Sequence, residues 1–234
     1  MSFVHLHLHS EYSLLDGAFR IADIPRAAKA AGHNAVALTD HGVMYGAVDF
    51  YSACKAEGIK PIIGCEVYTA TGSRFDRREA PDGGKYHLVL LCENAIGYQN
   101  LIYMVSRSFT EGFYGKPRVD MELLREHSEG LIALSACLAG YIPRMIMAGD
   151  FEKAKERALE YDKIFGRGNF YLELQDHGIE HQKEVNEALI SLSHETGIPL
   201  VCTNDCHYMR RADADTQAIL LCIQTGSRIE DGRP

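Results

Sequence analysis

Histidines, carboxylates and one thiol recur along this chain at spacings that let a cation gather them. His5-Leu6-His7-Leu8-His9 sets its imidazoles two residues apart, so on an extended segment His7 and His9 point to the same side. Asp205-Cys206-His207 repeats that spacing near the other end of the chain. Between them, His41 follows Thr39-Asp40, Glu66 follows Gly64-Cys65, and Cys137 follows Ser135-Ala136. Imidazole nitrogen, carboxylate oxygen and thiolate sulfur form a mixed set suited to divalent Zn, Mn or Fe. Taken alone, a His-x-His pair reads equally well as a strand with one solvated face. Recurrence at several strand ends favours metal, because burying so many polar groups with no cation among them is costly.

The elements that must position these groups alternate in type. Short apolar runs predict strands over residues 3–9, 35–38, 61–69, 87–92, 131–134, 170–174 and 200–203. Amphipathic stretches between them predict helices, among them one that Asp23 caps ahead of Ile24 and Pro25, and others over 45–57, 150–165, 180–196 and 213–222. Residues 71–84, polar and rich in Arg, Asp and Gly, read as a mobile surface loop. Seven βα units with no linker predict an α/β fold with a parallel sheet, closed or nearly closed into a barrel. An open doubly wound sheet is the alternative. In either case the active site belongs at the carboxyl ends of the strands.

Composition narrows the function. The net charge of −8 disfavours a free-standing nucleic-acid binder, but not a nuclease whose metal ions supply positive charge locally. The seven cysteines include no CxxC pair and mostly sit in apolar runs, which reads as reduced thiols of a cytoplasmic protein. Cys54, Cys92 and Cys222 are expected in the core. No apolar run reaches the length of a membrane span, and no signal peptide is recognisable.

His7-Leu8-His9-Ser10, Thr39-Asp40-His41-Gly42, Gly64-Cys65-Glu66 and Asn204-Asp205-Cys206-His207-Tyr208 resemble the four motifs of the PHP (polymerase and histidinol phosphatase) family. Longer strings are similar to one branch of it, the amino-terminal PHP domains of bacterial replicative DNA polymerase III alpha subunits. These are Phe3-Val4-His5-Leu6-His7 through Glu11-Tyr12-Ser13-Leu14-Leu15-Asp16-Gly17, Ser135 to Gly140, and Cys222-Ile223-Gln224-Thr225-Gly226. The resemblance implies a distorted (β/α)7 barrel holding three divalent metal ions (Zn, Mn or Fe). Carried over by motif, the ligands are His7, His9, Asp16, His41, Glu66, His87, Cys137, Asp205 and His207. Asp16, in a loop, and His87, at the start of its predicted strand, rest mainly on the resemblance.

The implied activity is a 3′–5′ exonuclease of the proofreading type, hydrolysing DNA phosphodiesters. Adjacent cations can activate a water, hold the scissile phosphate and stabilise the leaving 3′ oxygen. Glu66 is the natural bridging carboxylate, and His9, His207 or a second water would handle protons. The chain is expected to be a single domain over residues 1–234, excised from the front of a longer DNA-directed DNA polymerase, with no nucleotide incorporation of its own. Its expected partners are DNA 3′ ends, held weakly in isolation, the remaining polymerase domains and other replisome subunits, with no membrane. Two alternatives stand beside this: a phosphatase of small phosphomonoesters, and a metal-stapled scaffold that docks polymerase partners.

Other polar residues have supporting parts or none. Glu173, Gln175 and His177 either orient ligands and substrate or form an ordinary polar strand end. His5 and Asp40 read as supports. Arg20, Arg107 and Arg118 are candidates for DNA phosphates, while Arg74, Arg77, Arg78 and Lys85 read mainly as a solvated face. His33, His127, His181 and His194 carry no signal.

Overall fold

The computed structural model describes residues 3–77 and 84–231. In chain order the elements are α1 (Ile24–Ala30), β1 (Ala35–Leu38), α2 (Ala47–Glu57), β2 (Lys60–Ala70), β3 (Lys85–Cys92), α3 (Ala95–Thr110), β4 (Arg118–Val119), α4 (Met121–Glu126), β5 (Leu131–Leu134), α5 (Tyr141–Met147), α6 (Phe151–Phe165), β6 (Phe170–Leu174), α7 (Glu180–Thr196), β7 (Leu200–Cys202) and α8 (Ala214–Thr225). Side chains of Asn94, Asp120 and Asp150 cap α3, α4 and α6 by accepting from backbone amides of the first turn. Asp23 stands before α1 but makes no such bond, contrary to the expected cap; Pro25 in the first turn, which lacks an N–H, sets that start. The short β4 and α4 were not foreseen.

The strands form one curled sheet in the order β1-β2-β3-β5-β6-β7, with β4 beside β2. It is not wholly parallel, as the alternating pattern had predicted. β3 runs antiparallel to both β2 and β5. The predicted pattern placed only a loop between β2 and β3, and a parallel pair needs a crossover, whereas an antiparallel pair does not.

The predicted first strand is an extended segment with single bridges at Leu8 and Ser10. Its ladder to β1 is interrupted because the Thr39 hydroxyl accepts from Leu8 N at 2.9 Å and donates to Leu8 O at 3.1 Å. Even so, its backbone is bonded on both sides. Ala37 N and Thr39 N donate to His5 O and Leu8 O, while His9 N donates to Cys206 O and Cys206 N to His7 O. The segment therefore lies between β1 and the end of β7 and closes the sheet into a distorted α/β barrel.

Apolar burial divides the molecule into layers. Leu88, Leu90, Leu101, Met104, Leu131, Phe170 and Leu189 pack between the sheet and the outer helices. Inside the barrel Ala37, Val89, Leu91 and Leu134 are buried, with Leu6, Ile62 and Val201 packed against them. Each fully buried large aliphatic side chain contributes roughly 1.5–3 kcal/mol. This apolar plug leaves the carboxyl ends of the parallel strands for polar groups. Among the described residues no helix is long and apolar enough to cross a membrane.

The described part of 71–84 corrects the reading as a mobile, solvated loop. Arg74 is only 9% exposed and binds Glu111, Asp120 and Glu122 at 2.6–3.0 Å. Arg118, 5% exposed, donates to the carbonyls of Gly112, Arg74 and Asp76. These arginines hold chain to chain, so Arg118 is withdrawn from DNA contact. Arg77 likewise donates to Glu111 O and Phe113 O. Arg78 lies outside the described residues.

Candidate metal centre

Each polar residue nominated as a ligand arrives at the same end of the barrel from a different element. His7 and His9 come from the closing segment, Asp16 from the loop after it, His41 from just after β1, Glu66 from β2 and Cys137 from just after β5. Asp205 and His207 follow β7. His87 stands near the amino end of β3, and because β3 is antiparallel that end lies with the carboxyl ends of its neighbours. Strand direction accounts for the one nominee whose position looked wrong.

The cluster is tight and centred on Glu66. Its Oε1 lies 2.9 Å from His87 Nδ1 and 3.2 Å from His7 Nε2. Its Oε2 lies 2.6 Å from His41 Nδ1 and 3.6 Å from His9 Nε2. Asp205 Oδ1 sits 3.2 Å from His7 Nε2 and 3.1 Å from His9 Nε2. Asp16 Oδ2 spans His41 Nε2 at 2.9 Å and His207 Nε2 at 3.4 Å. Cys137 Sγ is 3.7 Å from His87 Nδ1. Three groups have ligand atoms mutually within 4.8 Å: His9, His41 and His207; His7, His9 and Glu66; His41, Glu66 and His87. They overlap in His9, His41 and Glu66.

Whether these residues fit divalent ions is tested by their unpaired atoms. His7 Nε2, His9 Nε2, His41 Nδ1, both Glu66 carboxylate oxygens and Asp205 Oδ1 are buried without a well-formed hydrogen bond. Each such orphan costs about 1–3 kcal/mol unless something else engages it. The surrounding bonds also fix which ring nitrogen faces inward. His7 Nδ1–H donates to Glu173 at 2.8 Å, which leaves a lone pair on the Nε2 turned to Glu66 and Asp205. The Ser13 hydroxyl donates to Asp40, so it accepts from His9 Nδ1–H at 2.9 Å and frees His9 Nε2. His207 Nδ1–H donates to Asp205 O at 2.9 Å and leaves its Nε2 toward Asp16. Facing these carboxylates, the inward nitrogens must take up either a proton or a metal ion. The donor set fits cations.

Charge shifts tell the same story. Burial opposes charging His7, yet Asp205, Glu173 and Glu66 outweigh it and hold its pKa well above the ordinary value. His41 is likewise pushed to about 10, with Glu66 and Asp16 overcoming burial. His9 falls to about 3 through burial and the neighbouring His41 and His207. Burial would raise Asp16, Glu66 and Asp205, but the surrounding histidines hold all three below the usual carboxylate range. Burial, with Glu66 and Asp205, pushes the Cys137 thiol well up. Protons on His7 and His41 thus stand where divalent ions would otherwise neutralise the carboxylates.

A further layer holds the clustered side chains in place. Glu173 accepts from His7, from Gln175 Nε2 at 2.9 Å and from the Thr203 hydroxyl. Asp40 accepts from Ser10 N, Ser10 Oγ and Ser13 Oγ, tying down the loop that carries Asp16. His177 Nε2 lies 2.7 Å from Asn204 O, while Gln182 Nε2 donates to His177 Nδ1, which steadies the approach to Asp205. Among the described residues, φ is positive outside glycine only at Leu15, Ala136 and Asp205, each of them a ligand nominee or its immediate neighbour. Such backbone costs roughly 1–3 kcal/mol and persists only where the surroundings impose it.

Some nominees fall elsewhere. His5 packs on Phe3 and His33, with Nδ1 3.5 Å from Cys206 Sγ, and touches none of the ligand set. Arg20 lines an exposed groove with Arg26 and Arg210. Arg107 pairs with Glu111 at 2.7 Å. Ser10, Ser13, Thr203, Gln217 and Tyr68 had not been singled out. Gln217 Nε2 donates to Asp16 at 3.3 Å from α8, a partnership with no local sequence signal. Tyr68 stacks on His41 at 6.0 Å and meets His87 edge-on at 5.1 Å. Its signal was period-two parity with Glu66 on one strand.

A curled α/β barrel whose strand ends gather imidazoles, carboxylates and a thiol defines a barrel of the metal-site class. Residues 5–177 match the PHP domain, and the chain belongs to that family. It is 52% identical to the DNA polymerase III subunit alpha of Treponema pallidum, over 99% of this chain and 20% of that protein. The corresponding subunit of Borreliella burgdorferi is also 52% identical, over 98% of this chain and 20% of its own length. The chain thus spans about a fifth of these curated relatives. Among solved structures, an amidohydrolase from Chromobacterium violaceum with bound sulfate and no metal aligns with a TM-score of 0.56 at 16% identity, over 87% of each chain. A two-domain protein from Bacteroides vulgatus containing a predicted PHP-like metal-dependent phosphoesterase aligns with a TM-score of 0.53 at 15% identity, over 96% of this chain and 55% of that one. At these identities the likeness is one of fold.

Proposed function

We propose that this chain is a metal-dependent phosphoesterase and that its substrate is the 3′ end of a DNA strand, shortened in the 3′-to-5′ direction as a proofreading exonuclease. The observation that carries the reading is the set of buried nitrogen and carboxylate atoms, none with a well-formed hydrogen bond, that converge around Glu66. The nine ligands are His7, His9, Asp16, His41, Glu66, His87, Cys137, Asp205 and His207, and three ions is the number that the overlapping groups suggest. Divalent ions bound there would neutralise the phosphate and lower the pKa of an attacking water.

The chain's own residues do the rest. Glu66 presents its two oxygens to different histidines, which suits a carboxylate bridging two ions. Glu173 and Ser13 keep His7 and His9 in the tautomers that bind. His207, stacked on His9 at 4.3 Å, keeps its Nδ1–H on Asp205 O and so offers Nε2 as a ligand, which leaves proton exchange to a water. The DNA context comes from the alpha-subunit relatives, so the chain acts as one part of a longer polymerase. The other four-fifths of that protein and its replisome partners would supply most of the grip on DNA, and nucleotide incorporation would belong to them.

The test is metal analysis of the purified chain, alongside digestion of a single-stranded oligonucleotide whose label reports 3′ loss. Asp16→Asn, Glu66→Gln and Asp205→Asn are assayed in parallel. Stepwise 3′ shortening that disappears in all three supports the reading. Activity equal to wild type in the variants would refute the site. Hydrolysis of small phosphomonoesters with none of DNA would refute the substrate, and bound metal with no cleavage of any phosphoester would leave a scaffold.

A further inference from the structure

Two of the arginines nominated for phosphate are committed to acids or carbonyls: Arg118 is buried in the wall and Arg107 pairs with Glu111. Two residues before Arg118, the exposed Lys116 has an ammonium with no carboxylate partner among the described residues. Its Nζ lies 5.2 Å from the centroid of the Tyr68 ring. That same ring contacts His41 and His87, two of the proposed ligands. Lys116 therefore stands one aromatic ring away from the cluster, on the rim of the site.

The segment carrying Lys116 is firmly held. Arg118 is bolted by three carbonyls, and the buried Pro117 packs so closely on Gly42 that a Cβ there would stand 2.9 Å from Pro117 Cγ. Gly42, with φ +64, directly follows His41, so the Lys116 segment and a ligand are packed as one unit. Lys85 brings a second positive charge to this rim, its Nζ 3.0 Å from where a Cβ on Gly115 would lie. A cation–π seat weakly stabilises an ammonium at an exposed site without using up its hydrogen-bond donors on an acceptor. In a chain of net charge −8, an anchored cation with no carboxylate partner among the described residues, beside a phosphoesterase centre, is suited to a phosphate.

We infer that Lys116 binds a backbone phosphate of the DNA strand, the one next to the scissile phosphate on the side away from the 3′ end. The inference rests on the exonuclease reading above. It gives the site a means of preferring a polynucleotide over a small ester, since a phosphomonoester has no second phosphate to offer.

The experiment compares wild type, Lys116→Gln, Lys116→Arg and a charge control on the outer helix, Lys183→Gln. Binding of a fluorescent oligothymidylate is followed by anisotropy across a salt series, and KM and kcat are measured for its 3′ digestion. For single strands each phosphate contact contributes about 0.7 to the slope of log K against log salt. Lys116→Gln is expected to flatten that slope by about 0.7 and to raise KM about tenfold, with kcat changing less. Lys116→Arg should restore both, and Lys183→Gln should leave the slope at the wild-type value. An unchanged slope and KM in Lys116→Gln overturns the inference, as does a loss of kcat accompanied by loss of metal. Because binding is read separately from cleavage, wild type that binds DNA without cutting it would refute the exonuclease reading and still decide the role of Lys116.

Discussion

At His7 one hydrogen bond decides which nitrogen faces the cluster. Glu173 takes the proton of Nδ1, and Gln175 and Thr203 in turn hold Glu173. Carboxylates placed behind histidine ligands in this way are typically worth ten- to a hundredfold in metal affinity. Glu173→Gln keeps the shape and removes the charge, so metal affinity should fall about tenfold in a competitive chelator titration while circular dichroism stays unchanged. Equal affinity in the two proteins would show that Glu173 is only a packed polar group. The type of each clustered side chain was legible in the sequence. Glu173's place behind His7 was not, because 166 residues separate the two.

At the scale of elements, backbone direction and close approach decide what the motifs can reach. The reversal of β3 brings His87 to the site, and the tight loop after Ser10 brings Asp16. That loop depends on Gly17, where a Cβ would stand 2.0 Å from the Ser10 carbonyl oxygen. Backbone cannot yield as a flexible side chain can, so Gly17→Ala should displace Asp16 along with the loop. A loss of roughly 1–3 kcal/mol is expected in thermal or urea unfolding. Cleavage should fall further than the stability does, because Asp16 contacts both His41 and His207. Wild-type melting and full activity in this variant would mean that the loop relaxes without cost.

For the whole molecule, the cluster couples metal binding to stability and to pH. Metal that engages the buried lone pairs binds the folded chain only, so saturation at about a hundred times Kd adds roughly 2.7 kcal/mol. A chelator should then lower the melting temperature by about 5–10 °C. His7 and His41 have raised pKa values without metal and stay protonated near neutrality, as does Cys137. Metal must displace those protons, so affinity rises with pH and the chelator effect should be larger at pH 8 than at pH 6. Calorimetry in buffers of different ionisation enthalpy would detect the released protons. A chelator shift of equal size at both pH values would contradict this account.

The sequence by itself determined the types of side chain that cluster and the barrel that gathers them. His-x-His, Asp-x-His and the residues after the strands are local patterns, and period-two alternation or apolar runs identify strands without knowledge of their neighbours. Most predicted strands and helices lie where the fold has them, β1, β5 and β6 among them. Tertiary structure alone decided strand direction, the interrupted first strand, the burial of Arg74 and Arg118, and the partners Glu173, Ser13 and Gln217 give to the ligands. These are contacts between residues distant in the chain, made when the sheet curls and closes. No local pattern encodes whether an arginine will meet a carboxylate, a carbonyl or water. For Arg118 it was three carbonyls, which leaves Lys116, not Arg118, at the rim of the metal centre.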